Sequence, residues 1–303
     1  MYDMIVIGAG PAGLTAALYA LRADKSVLIL EKETFGGQIT YSPKVENYPG
    51  ILQMSGNEFA EKLIEQVLSH GARIELEEVV GIEANGDVRL VRTDANTYEG
   101  KTVVIAAGSK HRQLGLPNEN NLIGEGVSYC AVCDGAFYNG KTVAVIGGGN
   151  TALQEAVLLS EYCKKVYVVQ NLPMLTGEGR LVATLQSKEN VEIILSRVVD
   201  TLVGETSLEK LILKDPESDV TEDLVVDGIF VAIGQVPENE PFAKTVTLDE
   251  RGYVAADESC RTEDPAVFVA GDCRTKAIRQ ITTATGDGAV AALAACRYID
   301  GLA

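Results

Sequence analysis

Two glycine-rich turns built to one spacing constrain the fold of this chain more than anything else in it. Gly8-x-Gly10-x-x-Gly13 ends the apolar strand-like run Met4–Gly8 and opens Leu14–Ala23, which has helical apolar spacing; Ser26–Glu31 reads as the next strand. Gly147-x-Gly149-x-x-Ala152 repeats the pattern, with a strand at Lys141–Gly147, a helix at Thr151–Tyr162 and a strand at Lys165–Gln170. Gly8 to Glu31 and Gly147 to Gln170 both span 23 positions. A strand, a tight glycine turn and a helix in that order aim backbone amides and the positive end of the helix at the place a pyrophosphate occupies. With 303 residues, 46% of them hydrophobic, the chain can build two such units, each with its own core. The fold class expected is α/β, with two Rossmann-like three-layer domains.

The order of the other signals suggests nesting. Asn57–His70 carries a helical stripe of Phe59, Leu63 and Val67, and short strands follow up to Val103–Ala106, which ends in Ala107-Gly108. Arg112–Asn121, with Pro117 and several Asn residues, reads as a linker. Beyond the second glycine turn come strand-like runs at Val191–Leu195, Leu208–Leu213 and Val225–Ile233, then a loop with Pro237 and Pro241. The pattern of the first half then returns, as the strand Val267–Ala270, Gly271-Asp272, and a helix from about Asp287 to Ile299. Residues 1–113 and 244–303 are expected to form one domain, with 114–243 inserted into it.

The two turns part company at the end of their second strands. Glu31 stands where an acid bonds ribose hydroxyls. Its counterpart is Gln170, followed by Asn171, Leu172 and Pro173, with no acid for a ribose and no arginine for a 2′-phosphate. Losing two or three charge-assisted bonds costs on the order of 3–5 kcal/mol, about a thousandfold in affinity. The alternative is that Arg180, the nearest downstream arginine, or a lysine reaches in from a loop.

Between the turns lies Cys130-Ala131-Val132-Cys133-Asp134. Cys-x-x-Cys spacing closes a small disulfide ring, and a thiol near a helix N-terminus becomes a nucleophile when its pKa is depressed. Asp134 could give or take the proton of such an exchange, or be a plain turn residue. A buried structural cysteine pair is the competing reading. Cys163, Cys260, Cys273 and Cys296 are isolated and read as small buried hydrophobes; His70 and His111 have no metal-ligand spacing, and no metal is expected. The formal charge of −17 argues against nucleic acid or an anionic membrane as main partner, and equally fits plain solubility. Met4–Ala23 is apolar, but its glycines and Pro11 read as strand, turn and helix rather than as a membrane span, and no basic n-region precedes it, so a cytoplasmic location is expected.

Taken together, Cys130–Gly135, Val143–Ala152, Gly36-Gly37-Gln38, Glu46–Gly50, Ala270-Gly271-Asp272 and Arg279-Gln280 resemble the low-molecular-weight flavin thioredoxin reductases over essentially the whole chain. The resemblance implies a glutathione-reductase-type FAD domain with an inserted pyridine-nucleotide-like domain carrying the dithiol, in a homodimer that acts on thioredoxin. It implies that Gly8, Gly10, Pro11, Ala12, Gly13 and Glu31 hold the ADP half of FAD. Gly37, Gln38, Asn47, Ala107, Gly108, Gly271, Asp272, Gln280 and Ile281 would line the rest of the cofactor. Cys133 would face the flavin, Cys130 would attack the substrate disulfide, and Asp134 would serve as proton donor. The chain departs from the NADPH-dependent members, which carry His-Arg-Arg and a later Arg where Gln170-Asn171-Leu172 and Thr176 stand here. In that it resembles the ferredoxin-dependent members, and reduced ferredoxin is the expected donor. An NADPH-dependent reductase with an atypical phosphate site, an FAD-dependent dithiol oxidase using oxygen, and a non-enzymatic flavin-binding or redox-sensing module are the alternatives. Lys110, Arg112, Arg274, Lys276 and Arg279, in loops that follow strands of the FAD domain, could form a basic landing site for an acidic ferredoxin or be a scatter of solvated charges.

Overall fold

The computed structural model describes residues 1–42 and 45–302. The chain divides into two compact units, Met1–Lys110 with Val236–Ala303, and His111–Gln235. The first begins with β1 (Tyr2–Ile7), apolar at successive positions because it is covered on both faces; Met4, Ile5 and Val6 have no exposed surface. α1 (Pro11–Arg22) starts on a proline, which fits the first helical turn because the amide it lacks would have no partner there. β2 (Val27–Glu31) follows, then a 3-10 turn at Gly37–Tyr41 and α2 (Gly56–Ser69). The start of α2 is fixed by a capping box between Ser55 and Glu58. β3 (Arg73–Leu76) leads into the meander β4 (Val79–Asn85), β5 (Val88–Thr93) and β6 (Thr97–Ile105), and β7 (Ser109–His111) ends this part of the chain.

The second unit holds β8 (Val127–Ser128), the single turn α3 (Ala131–Asp134), β9 (Thr142–Ile146), α4 (Asn150–Ser160), β10 (Lys165–Val169), α5 (Gly179–Gln186) and β11 (Val191–Ile194). The meander β12 (Val198–Val203), β13 (Lys210–Lys214), β14 (Thr221–Val225) and then β15 (Gly228–Val231) complete it. The returning strand β16 (Gln235–Pro237) pairs with β7, and β17 (Val267–Val269) and α6 (Ile281–Gly301) close the chain.

Each unit is built on a five-strand parallel sheet. In the first the order is β3-β2-β1-β6-β17, and β6 serves two neighbours: Thr97–Gly100 pairs antiparallel with β5, and Val103–Ile105 pairs parallel with β17. In the second the order is β11-β10-β9-β15-β8, with β12-β13-β14 as a separate antiparallel sheet. α1 and α6 cover one face of the first sheet through small residues, among them Ala16, Ala17, Ala20, Ala291, Ala292 and Ala295. They approach so closely that a Cβ on Gly288 would lie 2.2 Å from the Ala12 carbonyl oxygen. The other face packs Ile5, Ile105 and Val269 against Phe242 and Val246, so the chain already belongs to this core before residue 244.

Three segments differ from their sequence reading. α6 begins at Ile281, not near Asp287: the Gln280 amide donates to Thr283 Oγ1, and the polar run Thr282–Gly286 hides this first turn from apolar periodicity. Val225–Ile233 is two strands, because at Asp227 the chain changes sheets: its amide donates to the Thr142 carbonyl and its carboxylate accepts the Thr142 amide. Arg112–Asn121 is no loose linker. Glu119 is buried, and its carboxylate accepts the amides of Leu114, Gly115 and Leu116 and the Tyr129 hydroxyl. Among the described residues no helix is long and apolar enough to cross a membrane.

A buried ion network ties α6 to the loop after β17. Asp287 Oδ2 accepts the Gly271 amide at 3.0 Å, Arg274 Nε at 2.9 Å and Lys276 Nζ at 2.8 Å, while Oδ1 accepts Arg274 Nη2 at 2.9 Å. Burial pushes the Asp287 carboxyl up, but the bonds and charges of Arg274 and Lys276 outweigh it and hold it below the usual range. A carboxyl lowered on folding stabilises above its unfolded pKa of about 4, and that contribution is lost as pH falls through the folded value. Asp287→Asn strands two buried cations, so it is expected to cost about 3–5 kcal/mol at pH 7 in denaturant unfolding. The difference from the native chain should shrink steadily below about pH 4; a constant difference down to pH 2 would rule out the ion network as its source.

Candidate active site

In the first unit the glycine turn is shaped by two contacts that exclude side chains. Gly8 has φ +104°, and a Cβ there would lie 2.3 Å from the Ala106 carbonyl oxygen; a Cβ on Gly13 would lie 1.9 Å from that of Gly8. Gly10 is different. The nearest atoms to an added Cβ are 3.9 and 4.0 Å away, so the protein's own packing does not require a glycine here. The space it leaves lies before the N-terminus of α1, where a pyrophosphate is favoured. Glu31 Oε2 accepts the Ala9 amide at 2.8 Å, and Oε1 accepts the amides of Lys32 and Glu33, which fixes the carboxylate at the rim of the turn.

Of the other expected residues, Gly37, Ala107 and Gly271 lie against this turn. Gly37 packs on Gly10, with an added Cβ 3.2 Å from the Gly10 Cα, and Gln38 follows in the same 3-10 turn. Gly271 meets Ala12, Cβ to Cβ 2.7 Å for the added atom. Asn47 Nδ2 donates to Gln280 Oε1 at 3.3 Å, and Gln280 and Ile281 open α6. Ala107 and Gly108 follow the end of β6. Asp272 Oδ1 is closed off from solvent with no hydrogen-bond partner among the described residues. Burial pushes this carboxyl up to about 6, against the charges of Lys276 and Arg279. An orphaned acceptor beside an open glycine cradle fits a dinucleotide that also carries hydroxyl donors.

The second turn keeps the shape without the charge. Gly147 has φ +131°, and an added Cβ would lie 2.5 Å from the Ala232 carbonyl oxygen, the same close approach as at Gly8. Gln170 is buried against Gly148, whose added Cβ would fall 2.6 Å from Nε2, and that amide points to the Met174 carbonyl at 3.4 Å. Beside the start of α4 stands a carboxylate: Glu178 Oε1 accepts Asn150 Nδ2 at 3.2 Å, and its amide donates to Asn150 Oδ1 at 2.7 Å. Arg197 donates its amide to the Gln170 carbonyl, but its guanidinium is engaged by Asp215 and Glu222. Arg180 is exposed on α5.

Cys130 and Cys133 form a disulfide across the single turn α3. Cys130 is the N-cap, and its Sγ accepts the Cys133 amide at 3.2 Å, a contact that favours negative charge on that sulfur. Two neighbours had no signal in the sequence. Ser128, at the end of β8, donates its hydroxyl to Asp134 Oδ2 at 2.7 Å and accepts the Cys130 amide at 3.1 Å. Glu155, on α4, points Oε1 at the Ala131 amide at 3.4 Å. Burial pushes the Asp134 carboxyl up, and the Ser128 bond only partly offsets it. The four remaining cysteines are buried without disulfides, and burial raises their thiols, to about 11 for Cys163 and about 12 for Cys260.

The expected basic cluster is not a free one. Arg274 is 1% exposed and paired with Asp287, and the Lys276 side chain is buried on the same carboxylate. The Arg279 guanidinium lies 4.2 Å from the Tyr253 ring centroid and donates to the carbonyls of Asp272 and Arg274. Lys110 is bridged by Glu33 and Glu238. Arg112 is exposed but lies in the second unit. Position in loops signalled exposure; the partners, mostly distant in sequence, remove it.

The family model described as pyridine nucleotide-disulphide oxidoreductase matches residues 2–288. A 34.2 kDa protein in the rubredoxin operon of Clostridium pasteurianum is 40% identical over 99% of this chain and 97% of its own length. The thioredoxin reductase of Streptococcus pyogenes superposes with a TM-score of 0.95, at 38% identity and 99% coverage of both chains. The ferredoxin-flavin thioredoxin reductase of Clostridium acetobutylicum has a TM-score of 0.54 at 33% identity, over 99% of this chain and 98% of its own.

Ser128→Ala removes the hydrogen bond that lowers the Asp134 pKa, so that pKa is expected to rise further. Carboxyl-carbon NMR titration of labelled aspartate reads it directly, and an unchanged or lower value would show that Ser128 does not anchor this acid.

Proposed function

The chain belongs to the pyridine nucleotide-disulphide oxidoreductase family, and from that premise we propose that it is a flavin-dependent reductase of thioredoxin disulfides. The observation that carries the reading is the Cys130–Cys133 disulfide on one helical turn, with a half-buried acid at its end. FAD, when bound, would supply the electron pair that opens that disulfide. Gly8, Gly10, Pro11, Ala12 and Gly13 would hold its pyrophosphate, Glu31 its ribose, and Asp272, whose Oδ1 has no partner, a hydroxyl of its ribityl chain. Gly37, Gln38, Asn47, Ala107, Gly108, Gly271, Gln280 and Ile281 line the remainder.

In the exchange, the Cys130 thiolate attacks one sulfur of the substrate disulfide. That S–S bond breaks, and the departing thiolate takes a proton from Asp134. Cys133 then attacks Cys130 Sγ in the mixed disulfide, which closes the Cys130–Cys133 bond and releases the second substrate thiol. Two protons and two electrons leave the enzyme dithiol and arrive on the substrate. The Cys133 amide on Cys130 Sγ supports Cys130 as the attacking thiol, since it stabilises the thiolate. The same reading makes the protein a cytoplasmic homodimer with thioredoxin as its partner.

Ferredoxin is the proposed electron donor. Neutral Gln170 and the Glu178 carboxylate beside α4 both disfavour an anionic nicotinamide dinucleotide at the second turn, and the likeness to the Clostridium acetobutylicum reductase supports the same choice. A nicotinamide donor is the second reading, favoured by the retained turn, where an added Cβ on Gly149 is 3.9 Å from its nearest neighbour.

Two matched variants separate these readings. Neither added methyl meets a protein atom closer than 3.9 Å, so Gly10→Ala and Gly149→Ala should both fold. Gly10→Ala is expected to weaken FAD retention at least tenfold. Gly149→Ala is expected to leave thioredoxin reduction by photoreduced ferredoxin unchanged. Rapid flavin bleaching by micromolar NADPH, slowed in Gly149→Ala, would overturn the ferredoxin assignment, and dithiol-driven oxygen uptake without thioredoxin reduction would mark an oxidase. Cys130→Ser should abolish turnover with either donor.

A further inference from the structure

Glu155 plays no part in the chemistry above, yet it lies against the dithiol turn. Its Oε1 faces the Ala131 amide at 3.4 Å, the first residue of α3, while its Oε2 is closed off from solvent with no partner among the described residues. Asp134, the last residue of the same turn, presents the same picture: Oδ2 is held by Ser128, and Oδ1 is buried and unpartnered. One turn of helix therefore has an incompletely satisfied carboxyl at each end. Each carboxyl keeps one donor and leaves one oxygen unpartnered and shut off from water, and the charge of Asp134 disfavours charge on Glu155, so ionisation of both together is disfavoured.

We propose that Glu155 is a positioning residue for the dithiol exchange: it shares one proton with Asp134 beneath α3 and so keeps that acid supplied with a proton at neutral pH. The proposal rests on the reductase reading above. When a departing substrate thiolate takes the proton from Asp134, the pair becomes doubly charged. The next enzyme thiol to ionise, Cys130 or Cys133, returns a proton to the pair, so the count closes with each thiol exchanged. Burial pushes Glu155 up to about 7; the Ala131 amide partly offsets this, and the charge of Asp134 adds to the rise. The neighbouring titratable side chains add no opposing charge. Tyr162, beyond the end of α4, and Tyr138, after α3, are themselves raised by burial. Lys165 on β10 is paired with Glu192, Tyr167 on β10 stacks under Lys165, and Arg180 on α5 is exposed. β9 carries no titratable side chain.

The test uses the holoenzyme, reduced photochemically so that no physiological donor is assumed, with a purified thioredoxin as substrate. In the native chain the rate of thioredoxin reduction should fall at alkaline pH as the shared proton is lost. Glu155→Gln removes the like charge, so Asp134 ionises more easily and the alkaline limb moves to lower pH. At pH 8.5 the variant should be about tenfold slower than the native chain, and at pH 6 within about twofold. Glu155→Asp keeps the charge and should return the limb towards its native position. An unshifted limb in Glu155→Gln, or an equal loss at every pH, overturns the proposal, the second by showing a structural role alone. The infrared band of the protonated carboxyl gives a substrate-free readout, and it should titrate at lower pH in Glu155→Gln; an unmoved band likewise overturns the pair. If the native protein does not reduce thioredoxin, the functional reading fails, and the infrared titration still decides the proton-sharing pair.

Discussion

A helix can follow a buried parallel strand this closely only if the turn between them lacks side chains at set places. In the first unit that constraint is met where Gly13 sits on the carbonyl of Gly8 and Gly8 on the carbonyl of Ala106. The rest of the unit depends on it. It brings the N-terminus of α1 to the carboxyl ends of the strands and puts Ala12 within reach of Gly271. It also lets Gly288 of α6 lie on the Ala12 carbonyl. The second unit meets the same constraint with Gly147 against Ala232, and there Ala152 stands where the first unit has Gly13.

Buried acids sort themselves by how completely they are satisfied. Asp287 is surrounded by Arg274, Lys276 and the Gly271 amide, and Glu119 by three amides and a phenol, so both are structural. Among the described residues four buried side-chain oxygens lack a partner, and three of them belong to the carboxyls Asp134, Glu155 and Asp272. All three flank the dithiol or the glycine cradle. Unsatisfied carboxyls gathered at these two places, while the acids elsewhere are satisfied, mark both as candidate sites.

The parts legible in the sequence were those written in short spacing. Both glycine turns, the Cys-x-x-Cys pair with Asp134, and the loss of charge at Gln170 could be read within a few residues of one another. The parts that were not legible depend on contacts across the chain. Arg274 and Lys276 read as loop cations because their counter-ion, Asp287, lies more than ten positions on and itself reads as the start of a helix. Ser128 and Glu155 reach the dithiol from a two-residue strand and from the helix after the glycine turn, and nothing in their local pattern marks them. Arg112–Asn121 has linker composition, yet one buried glutamate orders it.

The two parallel sheets share a strand order but not a chain order. In the first unit the fifth strand, β17, comes last and pairs with β6; in the second its counterpart, β8, comes first and pairs with β15. A parallel edge position can be filled from either end of the chain, since only the neighbour's register has to be met. Both versions put an acid just beyond the carboxyl end of that strand, Asp272 after β17 and Asp134 after β8, and burial raises both. The carboxyl edge of an open α/β sheet is where ligands bind, because strand ends and helix N-termini leave backbone groups unpaired there. The dithiol thus occupies, in its unit, the address that Gly271-Asp272 occupies in the other. One architecture used twice provides a cradle for a cofactor in the first case and a seat for a redox disulfide in the second.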